Sequence, residues 1–303
     1  MKPVIIRKNA SILERMAPIV FISPAVMLIV LLSVIPVFYA VYLSFFRYNL
    51  LLPPGSIKFN GLENYKNMLN NATFISSIKW TVIFSISAVA LNIFIGMTAA
   101  LVLNSKTVER SLYYFKTILI MPMMLAPVVS ATIWGLMYSP IYGVFNNILK
   151  LIGMEPVNWT ASTLPARIAL ILVELWITTP FCMLVFMAAL KTVPVEIYES
   201  ADMDGANRAI IFLKITLPYI RNFIALVITI RVMDTLRSFD IVYTLTNGGP
   251  DISTETIGTT LYKTAFRYSD IGQGSAGAFM FFIVIALITI VTMKIMRREG
   301  TIE

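Results

Sequence analysis

The sequence contains no histidine and a single cysteine, Cys182, among its 303 residues. The lack of histidine removes the most common general acid–base group and, with only one cysteine present, the usual His/Cys metal sites. A lone cysteine also excludes an intramolecular disulfide. No Gly-Lys dipeptide occurs, so the chain has no P-loop to hold ATP phosphates. These absences predict a non-enzymatic chain with no catalytic residues, no cofactor and no metal site.

Charged residues are also scarce. Asp, Glu, Lys and Arg make up 13% of the chain, whereas apolar residues make up 58%. A soluble domain has about 25% charged and about 45–50% apolar residues. The excess forms long runs with one charge or none, and about 20 such residues cross a bilayer core as a helix. The spans predicted from these runs lie near residues 18–42, 80–103, 113–138, 168–190 and 272–293.

A sixth span is predicted near 212–236, although Arg221 and Arg231 interrupt it. The residues between them are too apolar for a loop, and an even number of spans places both termini on one side. Lys and Arg are about twice as dense on that side, which predicts cytoplasmic termini. In the third span, Pro122 and Pro127 predict a kink. The sequence therefore predicts an all-α integral membrane protein with six transmembrane helices.

The predicted organisation has two short tails around one membrane domain. The segments are a cytoplasmic N-terminal tail 1–17, a transmembrane domain 18–293 with a cytoplasmic loop at 191–211, and a cytoplasmic C-terminal tail 294–303. The first apolar run has no clear cleavage site, so we expect an uncleaved anchor rather than a signal peptide. The net charge of +8 reflects the topology, and no soluble element carries a basic face. Membrane lipid is therefore a predicted partner, and nucleic acid is not.

The loop at 191–211 carries four acidic residues between Glu196 and Asp204. Pro194 suits the first turn of a helix and Gly205 suits its end, which predicts a helix of about eleven residues. A helix this short is marginal in water and needs a surface to pack on. An acidic helix on an otherwise basic side predicts a protein partner with basic groups. The alternative is a connector that only lies at the membrane interface.

The acidic loop resembles the EAA loop of ABC importer permeases. The matching residues are Glu199-Ser-Ala201, Asp204-Gly-Ala206, Phe212 and Ile215-Thr-Leu-Pro218. The resemblance extends over nearly the whole chain and is greatest to sugar permeases of the maltose and glycerol-phosphate importer type. Other landmarks of that type are Gly61-Leu-Glu-Asn-Tyr65, Tyr142-Gly143, Phe239-Asp240, Thr246-Asn-Gly-Gly-Pro250 and Thr254-Glu-Thr256. Two mild departures are Ser200 in the alanine triplet and Asn222 after the Leu-Pro pair.

The resemblance implies an ABC importer type I permease fold, with transport and ATP hydrolysis carried out by separate subunits. The EAA-type loop would be a coupling helix seated in a cleft of a separate ATPase. The coupling residues carried over are Glu199, Ala201, Asp204, Gly205, Ala206 and Pro218. The implied partners are a second homologous permease subunit, two ATP-binding subunits, an extracytoplasmic solute-binding protein and a sugar substrate. The implied location is the inner or plasma membrane of a bacterial or archaeal cell.

Ionisable residues inside the spans are candidates for the substrate pathway, because such groups usually face a bundle interior or a water-filled cavity. Candidates of this kind are Glu174, Arg231, Asp234, Arg237 and Asp240. The last four are spaced three residues apart and would form a polar stripe on one helix. The alternative is a solvated extension beyond the end of the span. Further pathway candidates are Asn92, Trp134 and Trp176, each of which also fits ordinary helix packing.

The predicted function is the permease subunit of an ATP-driven importer for a sugar or related polyol phosphate, working by alternating access. The alternative is an ion-coupled secondary transporter, which would keep coupling residues near the bilayer midplane. Two features disfavour this alternative. The centres of these spans hold few ionisable groups, and a secondary transporter would have no function for the acidic loop. A membrane-embedded hydrolase or transferase would need a nucleophile–base pair, which the lack of histidine disfavours.

Overall fold

The structure, a computed structural model, describes residues 12–53, 55–104 and 112–299. Among these residues, four helices are long and apolar enough to cross a membrane: Val20–Ser44, Ala72–Leu103, Thr163–Leu190 and Ile271–Thr292. Each of them overlaps one of the predicted spans. Two further pairs of helices meet the same criteria only when each bent pair is taken as one segment.

Helices dominate the described part of the chain, as the sequence predicts. In chain order they are α1 (Ile12–Ile29), α2 (Ile35–Ser44), α3 (Glu63–Asn70), α4 (Ala72–Leu103), α5 (Leu112–Ile120), α6 (Pro127–Met137), α7 (Val144–Leu151), α8 (Thr163–Leu190), α9 (Val195–Met203), α10 (Arg208–Ile211), α11 (Leu217–Tyr219), α12 (Arg221–Leu236), α13 (Asp240–Leu245), α14 (Ile257–Tyr262) and α15 (Ile271–Glu299). The described residues also include three π-helical turns, Val30–Val34, Phe212–Thr216 and Lys263–Arg267. One 3₁₀ turn, Met121–Met124, lies between α5 and α6.

Two compact units divide the chain, and the first comprises Met1–Met68 with Thr264–Phe279. This unit also contains a short antiparallel ladder of two strands, β1 (Phe46–Arg47) and β2 (Lys58–Phe59), which the all-α prediction did not include. In α3, the Nδ2 atom of Asn64 donates hydrogen bonds to the carbonyls of Ser44 and Phe46, each at 2.8 Å. One buried amide therefore ties α3 to the end of α2 and the start of the ladder.

The second unit, Leu69–Lys263 with Met280–Glu303, is built around α4 and α8. These two helices lie very close together, since a Cβ added at Gly96 would be only 2.7 Å from the Cβ of Cys182. Small residues permit this kind of approach between membrane helices. The α4 helix starts eight residues before the predicted span, because the Oδ1 atom of Asn71 caps the backbone N–H groups of Thr73 and Phe74.

Each bent pair falls where one span was predicted. Segments Tyr114–Met124 and Pro127–Met137 meet at 104°, so the kink expected from two prolines is a full break. Proline 122 lies in the 3₁₀ turn and Pro127 opens α6, where its missing N–H is not needed. Segments Arg208–Tyr219 and Arg221–Leu236 meet at 69°, where one span near 212–236 was predicted.

Two apolar clusters lie toward opposite ends of α8. The cluster at the C-terminal end includes Met97, Leu103, Cys182, Phe186, Leu190, Val193, Ile220 and Val227. The cluster at the N-terminal end includes Trp80, Phe84, Tyr138, Leu170, Val173, Ile177, Ile241 and Val242. Between them the interior carries buried polar groups from α4, α8 and α12. The second unit thus has a central helix with an apolar core at each end and a polar middle.

Candidate functional site

The α9 helix forms in the acidic loop, as predicted, and begins directly after Pro194. That proline occupies the N-cap with φ −58° and ψ 138°, and Glu196 lies in the first turn. A carboxylate there complements the positive end of the helix dipole. The helix covers nine residues rather than about eleven, because Pro194 remains outside it and Asp204 is its C-cap.

Gly205 terminates α9 in the way the sequence predicts. Its φ is +74°, and the N–H of Ala206 donates to the carbonyl of Ala201 at 3.0 Å. The N–H of Gly205 donates to the carbonyl of Asp202 at 3.1 Å, which completes a Schellman motif. A Cβ added at Gly205 would meet no atom within 4 Å. Glycine is therefore needed here for its backbone conformation and not for lack of space.

One face of α9 packs on the chain itself. Ala201 is buried, and Tyr198 packs against the apolar cluster at the C-terminal end of α8. The hydroxyl groups of Tyr198 and Thr216 are 3.2 Å apart. Thr216 is the last residue of the π-helical turn that leads through Pro218 into α12. The short helix is thus bound to the segments on both sides of it.

Much of the remaining surface of α9 is exposed in the part of the chain that the structure describes. The exposed residues there are Glu199, Asp202, Met203 and Asp204, and the side chain of Met203 is 88% exposed. Ala201 and Gly205 are among the coupling residues that the resemblance implies. In the structure Ala201 faces the chain's own core, so the surface open to a partner consists of the carboxylates and Met203.

The polar middle of the second unit contains a buried ion pair between α8 and α12. The Nη2 atom of Arg231 contacts the Oε1 atom of Glu174, and both residues are about 5% exposed or less. Nη1 of the same arginine lies 3.3 Å from Asp234, which in turn lies 3.6 Å from Arg237. The charges therefore continue from the interior to the exposed end of α12, where the side chain of Arg237 is 61% exposed.

Three of the four charged residues form the predicted stripe. Arg231, Asp234 and Arg237 follow one face at the expected spacing, and the burial of Arg231 contradicts a wholly solvated extension. Asp240 does not continue the stripe, because α12 ends at Leu236 and Asp240 opens the separate helix α13. Spacing of three residues makes neighbours only while one helix continues.

Asn92 contributes a second polar contact between α4 and α8. Its Oδ1 atom accepts hydrogen bonds from the hydroxyls of Thr178 at 3.2 Å and Thr179 at 2.9 Å. On the same face of α4, the hydroxyl of Ser85 lies 2.6 Å from that of Thr235 in α12. These contacts tie the three helices together. Asn92 is fully buried and holds helices, which matches the packing alternative for this residue.

Trp134 and Trp176 lie together in an aromatic cluster. Their ring centroids are 5.8 Å apart in an edge-to-face arrangement, and Trp134 also stacks on Phe145 at 5.4 Å. Both tryptophans are half-buried and pack against the apolar cluster at the N-terminal end of α8. Their contacts in this structure are those of core residues, although each residue is still partly exposed.

Sequence reasoning missed a second buried ion pair, beneath the loop Thr246–Thr256. Lys263 Nζ lies 2.7 Å from Glu255 Oε2 and donates to the carbonyl of Asn247 at 2.7 Å. At the start of α8, Arg167 Nε donates to the carbonyl of Ser253 at 3.0 Å. The Gly-Gly-Pro turn and the Thr-Glu-Thr triplet were visible landmarks, but nothing in their local pattern indicated Lys263 or Arg167 as partners.

Comparison with known proteins identifies the family. Residues 92–298 match the family described as the binding-protein-dependent transport system inner membrane component. The chain belongs to this family. The predicted ABC importer permease is thereby confirmed, together with a helical membrane fold of that type. As a permease it is a membrane component of a transporter.

Curated relatives of this permease match over most of their length. The trehalose/maltose transport system permease protein MalF of Thermococcus litoralis is 35% identical over 91% of this chain and 92% of its own. The arabinooligosaccharides transport system permease protein AraP of Halalkalibacterium halodurans is 32% identical over 91% and 86%. A chain from the crystal structure of a bacterial alginate ABC transporter, in complex with an alginate pentasaccharide-bound periplasmic protein, has a TM-score of 0.83. The two chains are 22% identical, and the match covers 95% of this permease and 97% of the transporter chain. The likeness supports the fold of the permease.

Proposed function

We propose that this permease imports a sugar or related polyol phosphate and takes its energy from separate ATPase subunits through α9. The observation that carries the proposal is the two-faced packing of α9. One face is fixed to the chain's own core through Ala201 and Tyr198, and the other presents exposed carboxylates. The substrate class is supported by relatives whose names refer to trehalose, maltose and arabinooligosaccharides.

The proposed topology has six membrane spans and cytoplasmic termini. The four long helices and the two bent pairs supply six crossings if each pair crosses once. Residues 18–293 form the membrane domain, with 1–17, 191–211 and 294–303 on the cytoplasmic side of a bacterial or archaeal inner or plasma membrane. The greater density of Lys and Arg on that side supports this orientation.

The proposed complex contains a second homologous permease, two ATP-binding subunits and an extracytoplasmic solute-binding protein. ATP hydrolysis belongs to the partner subunits, and this chain performs no catalysis. Closure of the two ATPases would push on α9 and on its counterpart in the second permease. Such a push produces alternating access by rigid-body rotation of the two halves.

The contacts of α9 make it suited to transmit such a push. It follows α8 after four residues, and its Tyr198 is bonded to Thr216, just before α12. Farther into the unit, α8 and α12 are joined again by Glu174 and Arg231. A displacement of α9 is therefore delivered to two helices that are tied at two levels, so that they move as one body.

The proposed substrate pathway uses the exposed polar residues of the candidate set. Asp234, Arg237 and Asp240 are exposed and offer hydrogen bonds to sugar hydroxyls. Trp134 and Trp176 are half-buried and offer apolar ring surface to sugar C–H groups. Asn92, Glu174 and Arg231 are buried and would position the helices that carry the exposed groups.

An ion-coupled secondary transporter is the second candidate, and one observation favours it. Glu174 and Arg231 form an ion pair in the interior of the helix bundle, which is where secondary transporters keep their coupling groups. The two functions differ in what drives uptake. Transport by the purified chain alone, driven by an ion gradient, would establish the secondary transporter.

A cross-linking experiment tests the role of α9. Met203→Cys is made in a Cys182→Ala background, since Met203 is 88% exposed. We expect a cross-link to an ATP-binding subunit in native membranes, with a yield that changes when ATP is added. The matched control is Tyr142→Cys, which is 76% exposed near the opposite end of α8. Equal adducts from both positions, or none from Met203→Cys despite cytoplasmic labelling, would contradict the coupling role.

A further inference from the structure

A cavity of about 650 Å³ lies where the two central helices of the second unit end. Leu103 is the last residue of α4 and Leu190 is the last residue of α8, and both line the cavity together with the residue that follows each of them. Further walls come from α5, α9 and α10. Because α4 and α8 are apolar enough to cross a membrane and both end here, the cavity should lie at the level of the lipid headgroups.

Five charged side chains of both signs line this cavity. Lys116 is half-buried in α5, Lys191 is exposed at the C-cap of α8, and Arg208 is exposed at the start of α10. The acidic members are Glu199 and Asp202, three residues apart on one face of α9. The cations therefore come from three elements and the carboxylates from a single one, so the two signs belong to different walls.

These charges do not neutralise one another. In the part of the chain that the structure describes, none of the three cations takes part in an ion pair, and neither does either carboxylate. Positive and negative groups that share a cavity and stay apart leave room for a ligand that carries both charges. Such a ligand is selected when each of its charges meets the opposite sign.

An apolar groove of about 320 Å³ adjoins the cavity along α4. Leu103 lines both, and the other residues of the groove are Phe94, Ile95, Thr98, Ala99, Val102 and Leu119. The nine residues of helix from Phe94 to Leu103 rise by about 14 Å. The hydrocarbon of one leaflet is about 15 Å thick, which is half of a core of about 30 Å. The groove therefore has the length of one acyl chain and meets the charged cavity at Leu103.

We propose that the cavity and the groove together bind one phospholipid with a zwitterionic headgroup, of the phosphatidylethanolamine type. Its phosphate lies against Lys116, Lys191 and Arg208, as lipid phosphates do in basic pockets between membrane helices. Its primary ammonium lies against Glu199 and Asp202, and one acyl chain follows the groove. A phosphatidylglycerol headgroup brings no cation to the carboxylates, and a choline nitrogen has no N–H to donate to them. The inference needs only a membrane location and is independent of what the permease transports.

The lipid site leaves a part of α9 for other contacts. Met203 and Asp204 are exposed on this helix but line neither the cavity nor the groove. A lipid beside α9 and a protein on those two residues can therefore be present together.

Lipid retention by the complete transporter tests the proposal. The delipidated complex in detergent is titrated with dioleoyl-phosphatidylethanolamine, dioleoyl-phosphatidylglycerol or dioleoyl-phosphatidylcholine, and native mass spectrometry gives the affinity for each. We expect phosphatidylethanolamine to bind most tightly. Lys116→Met combined with Lys191→Met should weaken its binding about tenfold, because the phosphate loses two basic contacts. The matched control is Lys150→Met combined with Lys214→Met, at two exposed lysines that line neither the cavity nor the groove.

Two further variants separate the headgroup from the acyl chain. Asp202→Asn should narrow the difference in affinity between phosphatidylethanolamine and phosphatidylglycerol, because the ammonium loses one carboxylate. Thr98→Trp fills the groove from an exposed position and should weaken the binding of all three lipids alike. Thr132→Trp, at an exposed threonine of α6 outside the groove, is its control.

Three results would overturn the inference. They are equal affinities of the wild type for the three lipids, a wild-type affinity in the double lysine variant, and an equal loss in the Lys150 and Lys214 control. Release of the bound lipid by an excess of soluble O-phosphoethanolamine would also contradict it, since the site would then take the headgroup without the chain. The lysine and Thr98 variants change separate parts of the site, so if one of them fails to assemble, the other still decides.

Discussion

The two ends of α8 carry segments that are ordered by different means. At the C-terminal end, α9 is defined by a proline at its start, a glycine at its end and backbone hydrogen bonds between near neighbours. At the N-terminal end, the loop Thr246–Thr256 is held by charged side chains from distant positions, Arg167 and Lys263. The first arrangement gives a short helix with defined ends, whereas the second holds a loop through contacts from distant parts of the chain.

The difference agrees with the coupling role proposed for α9. A part that transmits a push needs defined ends and an attachment to the segments that it moves. The loop at the other end of α8 keeps its shape through long-range contacts. The middle of α8, where Glu174 contacts Arg231, belongs to neither end and joins α8 to α12.

The largest effect is expected in this middle region. Arg231→Met leaves Glu174 as an unpaired charge in the interior, and losing one partner of a buried pair costs about 3–5 kcal/mol. Unfolding of the purified protein in mixed micelles measures the change. The double variant Glu174→Gln with Arg231→Met should recover most of the loss. Arg237→Met, at a side chain that is 61% exposed, should change stability little. A double variant as unstable as Arg231→Met would show that the charge pair is not the cause.

A smaller effect is expected from the ion pair under the loop. Lys263→Met removes the cation of Glu255, and because the lysine side chain is 12% exposed we expect a loss of about 2–3 kcal/mol. Hydrogen–deuterium exchange should speed up at the amides of Thr246–Thr256 and stay unchanged in α9. Lys150→Met, at an exposed lysine, is the control. Faster exchange in both segments would remove the distinction between the two ends.

The termination of α9 gives the next effect in size. Gly205→Ala forces a side chain into a left-handed conformation, which costs about 1–2 kcal/mol. Gly153→Ala is a close match, since Gly153 has φ +78° and, like Gly205, no atom within 4 Å of an added Cβ. Both variants should lose similar stability, but only Gly205→Ala should reduce ATP-driven uptake. Equal transport in the two variants would contradict a coupling role for this turn.

The smallest effect is expected from Tyr198→Phe, which removes the hydroxyl contact with Thr216. One hydrogen bond contributes about 0.5–1.5 kcal/mol, so folding should survive. The ratio of solute imported to ATP hydrolysed should fall, because α9 loses a tie to the segment leading into α12. Tyr142→Phe, at a ring that is 76% exposed, should leave the ratio unchanged. An unchanged ratio in Tyr198→Phe would confine transmission to the peptide link with α8.

The contrast also explains which parts were predictable from sequence. The start and end of α9 follow from Pro194 and Gly205, because capping depends on residues only a few positions apart. The partner of Arg231 lies 57 residues away in Glu174, and local spacing instead favoured a stripe that included Asp240. No local pattern revealed that α12 stops at Leu236.

Bend angles were likewise outside the reach of local signals. Two prolines in the third span predicted a kink, but the observed 104° depends on what each half packs against. The same holds for Lys263, whose partners in the loop are set by tertiary structure. The sequence therefore predicted the four long apolar helices and the short helix α9, whereas the contacts between helices became visible only in the structure.

The first long helix has a consequence for the protein outside the membrane. Every side chain from Val20 to Tyr39 is exposed, so this stretch has no core of its own to fold against. In a membrane, lipid can cover this surface at little cost, because lipid tails are as apolar as the side chains themselves. Once the protein is extracted, detergent has to take the place of lipid along the whole stretch. The choice of detergent should therefore matter more for this helix than for α8, half of whose apolar window is buried inside the protein.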